Sequence, residues 1–259
     1  MSFHDHRRLS AAAFLGMLLL TGCGGQEVPA AAPASSPAVA APSPTELPPT
    51  DAVKAALQRL TTSTYSYTVT GDYWYGQKYH ASGTHDSPAG KDSRTVVISG
   101  GEEAGTCKLI VIGDDTYENC TGSGRWVHAD LTRLKPTSDY YLADPKDSGG
   151  VARLMAALHS ARRLGPGKYE GEARLEVTAG LLTYVPVGAP YFRFERGGLW
   201  VSYTLTTDAR GDVATIRTVF DTAKNTGVST TTSFRNIGKP VQITKPARVT
   251  ELRRSLYDK

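Results

Sequence analysis

The sequence predicts an α+β protein built on a large antiparallel sheet. Short segments with alternating apolar and polar residues, rich in β-forming side chains, are separated by Gly, Asp, Asn and Pro. One helical pattern precedes these segments and a second interrupts them. A helix, a run of strands, a second helix and a further run of strands favour one sheet with helices packed on it.

The first helix is expected to begin with Thr50 or Asp51 as its cap and to continue through Leu60. Val53, Ala56, Leu57 and Leu60 fall on one face. The predicted strands of the first run are Thr64–Tyr75, Gln77–Thr84, Arg94–Ser99, Cys107–Ile112, Thr116–Cys120 and Arg125–Ala129.

The second helix is expected over Ser148–Leu164, with Ser148 as its cap and Gly165-Pro166-Gly167 as its stop. Its apolar stripe consists of Val151, Leu154, Met155, Leu158 and Ala161. The second run of predicted strands is Tyr169–Thr178, Leu199–Thr207, Val213–Asp221, Ser229–Phe234 and Val241–Thr244. The stretch 181–198 shows no clear strand and is expected to form a loop or lid.

Two cysteines are placed opposite each other by a predicted hairpin. A two-residue turn at Gly113-Asp114 pairs residues whose numbers sum to 227, which sets Cys107 against Cys120 on a non-hydrogen-bonded pair. The Cα atoms of such a pair are close enough for a disulfide. We therefore predict a Cys107–Cys120 bridge, as an exported chain would favour.

The N-terminus predicts export and lipidation. Arg7-Arg8 precede the apolar run Leu9–Leu20, which is too short to span a bilayer, so residues 1–22 are interpreted as a signal peptide. Leu20-Thr21-Gly22-Cys23 looks like a bacterial lipobox, whose Cys takes a diacylglyceryl group. We expect Cys23 to anchor the protein at the extracytoplasmic face of the cell membrane, because two acyl chains give stable attachment.

A linker and one domain are expected after the lipobox. Residues 23–50 are Pro- and Ala-rich and cannot bury enough apolar surface to fold, which is typical of a disordered tether. Residues 51–259 are expected to form a single domain.

The chain resembles the actinobacterial lipoproteins of the LppX/LprG type, which share the curved half-barrel of the lipoprotein carrier LolA. Three pieces carry the resemblance: the lipobox with its spacer, the hairpin Gly113–Tyr117 with Gly124–Val127, and the stretch Ile237–Pro246. It covers roughly residues 51–247 and implies a curved sheet, with helices covering its concave face, around an apolar cavity for acyl chains.

Residues for ligand binding follow from that resemblance. It places cavity-closing helices in mid-chain, so Val151, Leu154, Met155 and Leu158 are expected to line the cavity, together with Leu109 and Val111 of the strand Cys107–Ile112. The diacylglyceryl group on Cys23 is expected to insert into the membrane, and a lipid or glycolipid is the expected ligand. A protein of the cell envelope is a further possible partner.

Catalysis and nucleic-acid binding are disfavoured. The formal net charge of +4 comes without a basic stripe, and no metalloprotease, hydrolase-elbow, phosphate-loop or metal-type cysteine motif is present. His80, His85, Asp86 and Ser87 lie together in sequence, but neighbours at a strand end seldom converge, so a solvated edge is the expected reading. We expect no enzyme, cofactor or metal.

Two hypotheses remain. The first is a membrane-anchored binder or carrier of lipids or lipidated molecules. The second is an envelope sensor or scaffold that has the same fold, a filled core and no ligand. A helix over a cavity and a helix over a filled core bury the same stripe, so the sequence pattern does not separate them.

Overall fold

The computed structural model describes residues 46–102, 104–134, 147, 149–175, 182–184, 192–194, 199–220 and 228–257. Cys23, the signal peptide and nearly all of the predicted linker therefore lie outside the described residues, as does Ser148. The described residues belong to one compact unit, Thr45–Lys259.

Helix α1 (Pro49–Thr61) opens this unit. Its buried side chains are Val53, Ala56, Leu57 and Leu60, which confirms the predicted apolar face. The predicted cap is wrong, because Pro48 occupies the cap position and Pro49 begins the helix. A proline fits there, since the first helical N–H has no partner within the helix and the ring fixes φ at a helical value.

Among the described residues, twelve strands form one sheet in the order β14-β6-β5-β4-β3-β2-β1-β13-β12-β11-β8-β7, and β9 pairs with β10 in a separate ribbon. The strands are β1 Thr64–Asp72, β2 Lys78–Asp86, β3 Lys91–Ser99, β4 Gly105–Ile112, β5 Asp115–Cys120, β6 Trp126–Asp130, β7 Leu158–Gly165, β8 Lys168–Leu175, β9 Leu182–Tyr184, β10 Phe192–Phe194, β11 Leu199–Thr207, β12 Val213–Phe220, β13 Val228–Arg235 and β14 Val249–Glu251. The predicted α+β class with a large antiparallel sheet is confirmed.

The hairpin of β4 and β5 has the predicted register. Ile112 pairs with Asp115 across the two-residue turn, and Cys107 lies opposite Cys120. The two cysteines form a disulfide with their Cα atoms 4.0 Å apart.

The second helix is much shorter than predicted. Helix α2 covers Val151–Ala157 only, and β7 begins at Leu158 and continues to Gly165. Gly165 pairs with Lys168, so Pro166-Gly167 forms a hairpin turn rather than a helix stop. Gly167 has φ +63°, the left-handed conformation that suits the third position of a turn with proline before it. Pairing with β8 outweighs the helical preference of Leu158–Leu164.

Two further expectations about the strands are wrong. Val241–Thr244 forms no strand, and the chain instead pairs later, where β14 adds to β6 in parallel. The stretch 181–198 was expected to lack strands, yet it contains the ribbon in which Phe192 pairs with Tyr184.

Alternation gives the sheet two different faces. We call the face against which α1 and α2 pack the inner face, and the opposite one the outer face. On β11, for example, Val201, Tyr203 and Leu205 are buried on the inner face. The residues between them, Ser202 and Thr204, lie on the outer face, since side chains alternate along a strand.

Candidate functional site on the inner face of the sheet

Apolar side chains cover the inner face in three clusters. The central cluster lies under the helices and combines the buried face of α1 with Val151 and Leu154 of α2 and with Tyr65, Tyr67 and Val69 of β1. A second cluster, at the β4–β6 end, contains Leu109, Val111, Leu134, Leu252 and Tyr257. A third contains Leu175, Leu199, Val201, Phe220 and Val228.

The central and third clusters meet at two residues. Tyr73 and Ala157 are both partly buried and pack against each of the two clusters. Ala157 is the last residue of α2, so the apolar surface continues past the end of the helix. The inner face is therefore apolar on both sides of this boundary.

Helix α2 is held at its N-terminus by a carboxylate. Asp147 accepts hydrogen bonds from the backbone N–H groups of Ala152 and Arg153, at 3.0 and 2.9 Å. These bonds satisfy N–H groups that have no partner within the helix, and a negative charge favours the positive end of the helix dipole. Gly150 precedes the helix with φ +72°.

A buried polar cluster interrupts the apolar surface between β1 and β4. Asp92 is fully buried, and its Oδ2 accepts from the hydroxyl of Tyr67 at 3.3 Å and faces Nδ1 of His85 at 3.2 Å. The Nε atom of Arg94 lies 3.2 Å from Asp92 Oδ1. We call Tyr67, His85, Asp92 and Arg94 the polar cluster.

Neighbouring groups keep the Asp92 carboxyl ionised. Burial alone would raise the pKa of Asp92, but Arg94, His85 and the Tyr67 hydroxyl outweigh it and hold that pKa below its usual value. Burial raises the pKa of Tyr67 well above its usual value, so its phenol remains a hydrogen-bond donor. An ion pair without water around it is costly to form, and removing one partner leaves an uncompensated charge.

A glycine makes room for the Tyr67 phenol. Gly83 lies directly across from Tyr67 in the β1–β2 pair. A Cβ at this position would lie 2.7 Å from the Tyr67 hydroxyl and 2.7 Å from the carbonyl oxygen of Ser93. The missing side chain lets the ring cross β2 to reach Asp92 on β3.

A small pocket opens between the polar cluster and the start of α2. Its volume is about 190 Å³. The lining residues are Thr61, Tyr65, His85, Ser87, Asp147, Val151 and Ala152. Tyr65 also packs on His85 with ring centroids 5.1 Å apart. The pocket thus combines polar groups with one apolar side chain from the predicted stripe.

The structure brings most of the predicted ligand-binding residues together. Val151 and Leu154 are buried in the central cluster, and Met155 and Leu158 pack against it while partly exposed. Leu158 does so from the first position of β7 rather than from the helix. Leu109 and Val111 lie apart, in the cluster at the β4–β6 end. That these six residues contact a ligand stays a prediction.

The reading of His85 as part of a solvated edge is wrong. His85 is buried on the inner face, whereas His80 is exposed on the outer face, so the two do not converge. Sequence reasoning also missed Asp92, because the predicted strand began at Arg94. The register of the β2–β3 hairpin contains the missing signal, since it sets His85 directly opposite Asp92.

A second histidine, His128, links β14 and β5 to β6 through its side chain. His128 of β6 places Nδ1 2.7 Å from Glu251 Oε2 and Nε2 2.7 Å from Asp115 Oδ1. Partial burial opposes the imidazolium, but the hydrogen bonds to Asp115 and Glu251 outweigh it and raise the pKa of His128 above its usual value. Its ring stacks on Tyr117, with centroids 5.0 Å apart.

No group of three or more His, Cys, Asp or Glu side chains is arranged to hold a metal ion in the part of the chain that the structure describes. Within the same residues, neither helix has the length and apolarity needed to cross a membrane.

Comparisons with known proteins give structural neighbours only. No protein-family model matches the chain, and no curated protein matches its sequence. The solved structures similar to it include an uncharacterized conserved protein from Thermus thermophilus, with 12% identity, a TM-score of 0.43, and coverage of 78% of this chain and 98% of that one.

Two further neighbours belong to the groups named by the resemblance. The lipoprotein LppX of Mycobacterium tuberculosis has 11% identity and a TM-score of 0.32, with 75% of this chain and 97% of that chain covered. A LolA superfamily protein from Nitrosomonas europaea has 10% identity and a TM-score of 0.28, with coverage of 74% and 97%. At such identities and TM-scores, function has to be inferred from the residues of this chain.

Proposed function

We propose that this protein is a lipid-anchored component of the cell envelope that binds or carries a lipid or lipidated molecule against the inner face of its sheet. The observation that carries the proposal is the extent of apolar surface on that face. It continues from the central cluster onto the third cluster, beyond the end of α2.

The dimensions of the elements support this proposal. Twelve strands at ~4.8 Å spacing give a sheet about 53 Å wide along its surface. The two α-helices of the described residues, each about 10 Å across, span less than half of that width when they lie side by side. The side chains of the third cluster are buried beyond the end of α2. In this proposal an acyl chain inserts among them, because its transfer from water to an apolar environment is favourable.

The polar cluster and its neighbouring pocket suit the other end of such a ligand. Lipids carry a polar group beside their acyl chains, and the pocket presents His85, Ser87 and Tyr65 next to the apolar Val151. Ligand sites of this kind are mostly apolar, with a few placed polar groups that fix orientation.

The position of the tether fits an anchored protein. Arg163 of β7 forms an ion pair with Glu46 and donates a hydrogen bond to the carbonyl oxygen of Leu47 at 3.2 Å. Its guanidinium also lies over the Tyr169 ring, 5.1 Å from the centroid. These contacts fix the point at which the chain from Cys23 joins the domain.

Lipid content tests the proposal. The mature protein, extracted gently from its own host, should release non-covalent lipid on solvent extraction, identified by mass spectrometry, while the Cys23 anchor stays attached. Met155→Trp should lower the amount of bound lipid by obstructing the apolar surface. Gln58→Trp, on the exposed face of α1, is the matched control and should bind as the unaltered protein does.

The opposite result favours a filled core. If no lipid is released and Leu154→Ala costs ~2–5 kcal/mol in the free energy of unfolding, the clusters pack only against protein, and the sensor or scaffold reading replaces the carrier. The anchor is tested separately. Cys23→Ala should leave the protein released or held only by an uncleaved signal, so a variant of normal mature size that stays membrane-bound after a salt wash would contradict lipidation.

A further inference from the structure

A second surface lies on the outer face of the sheet, where β7, β8, β11 and β12 run side by side. It is a groove of about 440 Å³. The side chains directed to it form two rows across the strands. One row is Ser160, Glu172, Ser202 and Val219; the other is Arg162, Glu170, Thr204 and Arg217.

An exposed tryptophan continues this surface along β11. Trp200 lies two residues before Ser202, on the same face, and 48% of it is exposed. An aromatic ring of this size on a sheet surface is usually packed away from water, since burial of its apolar area is favourable. Its exposure beside a groove is therefore the first sign of a ligand.

Two neighbours hold the indole in place. The guanidinium of Arg174, directly opposite on β8, lies 5.7 Å from the ring centroid. The ring of His159 meets it nearly at right angles, with centroids 5.0 Å apart. His159 reaches this position because the register of β7 shifts between Leu158 and Ser160. The indole is thus preorganised, which lowers the entropy lost on binding.

The charges of the groove define the ligand further. Arg162 and Glu170 form an ion pair with each other. Glu172 and Arg217 lie on either side of the hydroxyl-bearing Ser202 and Thr204. Positive and negative groups therefore alternate along the groove. A polyanion would be repelled by the glutamates and a polycation by the arginines, so neither fits this surface. Carboxylates, guanidinium groups and hydroxyls together offer many donors and acceptors.

A hydroxyl-rich ligand with one apolar face matches both parts of this surface. We propose that Trp200 and the adjoining groove form a glycan-binding site, in which a sugar ring lies on the indole and further sugar hydroxyls bond to Glu172, Ser202 and Arg217. The two rows, extended along the strands by the pair Trp200 and Arg174, measure about 14 Å in each direction, which is room for a short oligosaccharide. This site lies on the face opposite the proposed lipid surface.

Titration calorimetry of the detergent-solubilised mature protein tests the site. The probes are maltotriose, mannotriose and chitotriose, with dextran sulfate as a polyanion. We expect saturable binding of at least one neutral trisaccharide, and at least about tenfold weaker binding by Trp200→Ala and by Glu172→Gln. Trp200→Phe should bind with intermediate affinity. Tyr75→Ala is the control, because Tyr75 is exposed to 72% and lies outside the groove.

The source of the glycan is distinguished by a second arm. A galactose-bearing diacyl glycolipid and its free sugar headgroup are compared in the same micelles. Binding of both, weakened by Trp200→Ala, indicates a free or wall-bound glycan. Binding of the glycolipid alone with the same dependence indicates a lipid headgroup, and either result supports the site.

Three results would overturn the site. They are no binding of any of the three trisaccharides or of the glycolipid at millimolar concentration, glycan binding that is unaffected by Trp200→Ala, and binding of dextran sulfate alone. Circular dichroism of each variant must match that of the unaltered protein, so that loss of binding is not loss of folding. The non-covalent lipid content of Trp200→Ala should be unchanged, so failure here leaves the proposed lipid-binding function standing.

Discussion

The side chain of Tyr203 crosses directly over Gly171 and donates a hydrogen bond from its hydroxyl to the carbonyl oxygen of Ser160, at 2.8 Å. A Cβ on Gly171 would collide with that carbonyl oxygen and would lie 2.7 Å from the Tyr203 hydroxyl. Tyr67 and Gly83 repeat the arrangement in the β1–β2 pair, where β1 lies three strands along the sheet from β11. In each case a glycine lets a phenol reach past its neighbouring strand.

Gly171→Ala should destabilise the domain more than Tyr203→Phe does. Tyr203→Phe removes one partly buried hydrogen bond, worth about 1 kcal/mol. Gly171→Ala forces β7 away from β8, and an overpacked site costs ~1–3 kcal/mol. Urea unfolding measures both, and Gly165→Ala is the control, since a Cβ there meets no atom within 4 Å. Equal stability of Gly171→Ala and Gly165→Ala would refute the close approach.

Breaking the polar cluster should be costly. Arg94→Met leaves the Asp92 carboxylate buried without its guanidinium partner, and we expect a loss of ~3–5 kcal/mol in the free energy of unfolding. The double variant Arg94→Met with Asp92→Asn should lose much less free energy of unfolding than the sum of the losses of the two single variants, because the two residues are coupled. Additive losses would show that the two groups do not interact in solution.

The ionisation of Asp92 should also make the free energy of unfolding depend on pH. The folded-state pKa of Asp92 lies below its unfolded value of about 3.9. The carboxylate therefore contributes stability above about pH 4, and this contribution is lost as pH falls through the lower, folded-state pKa. Chemical unfolding at pH 6 and at pH 3 should show a smaller acid loss for Asp92→Asn than for the unaltered protein.

His128 predicts the opposite dependence. Its folded-state pKa lies above its unfolded value of about 6.5, so its contribution is fully present below about pH 6.5 and is lost as pH rises through the folded-state pKa. Because Glu251 and Asp115 are largely exposed, we expect less than about 1 kcal/mol.

Hydrogen exchange locates this effect. The amide of Leu252 donates to the carbonyl oxygen of His128, so its protection should fall between pH 6 and pH 9, after correction for the intrinsic rate. His128→Gln should abolish the change, whereas the amide of Val69 in the central cluster serves as the control. A Leu252 amide that behaves like that of Val69 at both pH values would contradict the role of the imidazolium.

The disulfide should contribute to stability without defining the fold. Closing a loop of this size contributes up to ~3 kcal/mol in the chain-entropy model, so Cys107→Ser with Cys120→Ser should lower the free energy of unfolding by that amount or less. Thiol labelling of the unreduced, unfolded protein should find neither cysteine reactive. Reactive thiols at both positions would show that the bridge is absent from the native protein.

The sequence predicted those elements whose conformation is determined by residues close together in the chain. The Gly113-Asp114 turn fixes the register of β4 and β5, and Val53, Ala56 and Leu57 define the buried side of α1, so both could be read from the chain. Leu158–Gly165 could not, because its helical residues become a strand only through pairing with β8. The pairing of β14 with β6 joins distant parts of the chain, and no local pattern encodes it.

Part of the candidate site was likewise predictable from local spacing, and part was not. The stripe that includes Val151 and Leu154 was found by its spacing, and both residues are buried where α2 meets the sheet. The polar cluster was missed because Asp92 and Arg94 are polar residues at inward positions, where alternation predicts apolar ones. Only the register across the β2–β3 hairpin shows that His85 faces them.

The parallel pairing of β14 with β6 has a consequence for how the protein is made. The chain is synthesised from its N-terminus, so β6 is made more than a hundred residues before its partner. Throughout that interval its backbone N–H and C=O groups, and the apolar surface that Leu252 and Tyr257 later cover, are open to other chains. Truncation before Val249 would leave this edge of β6 permanently open to pairing with other chains.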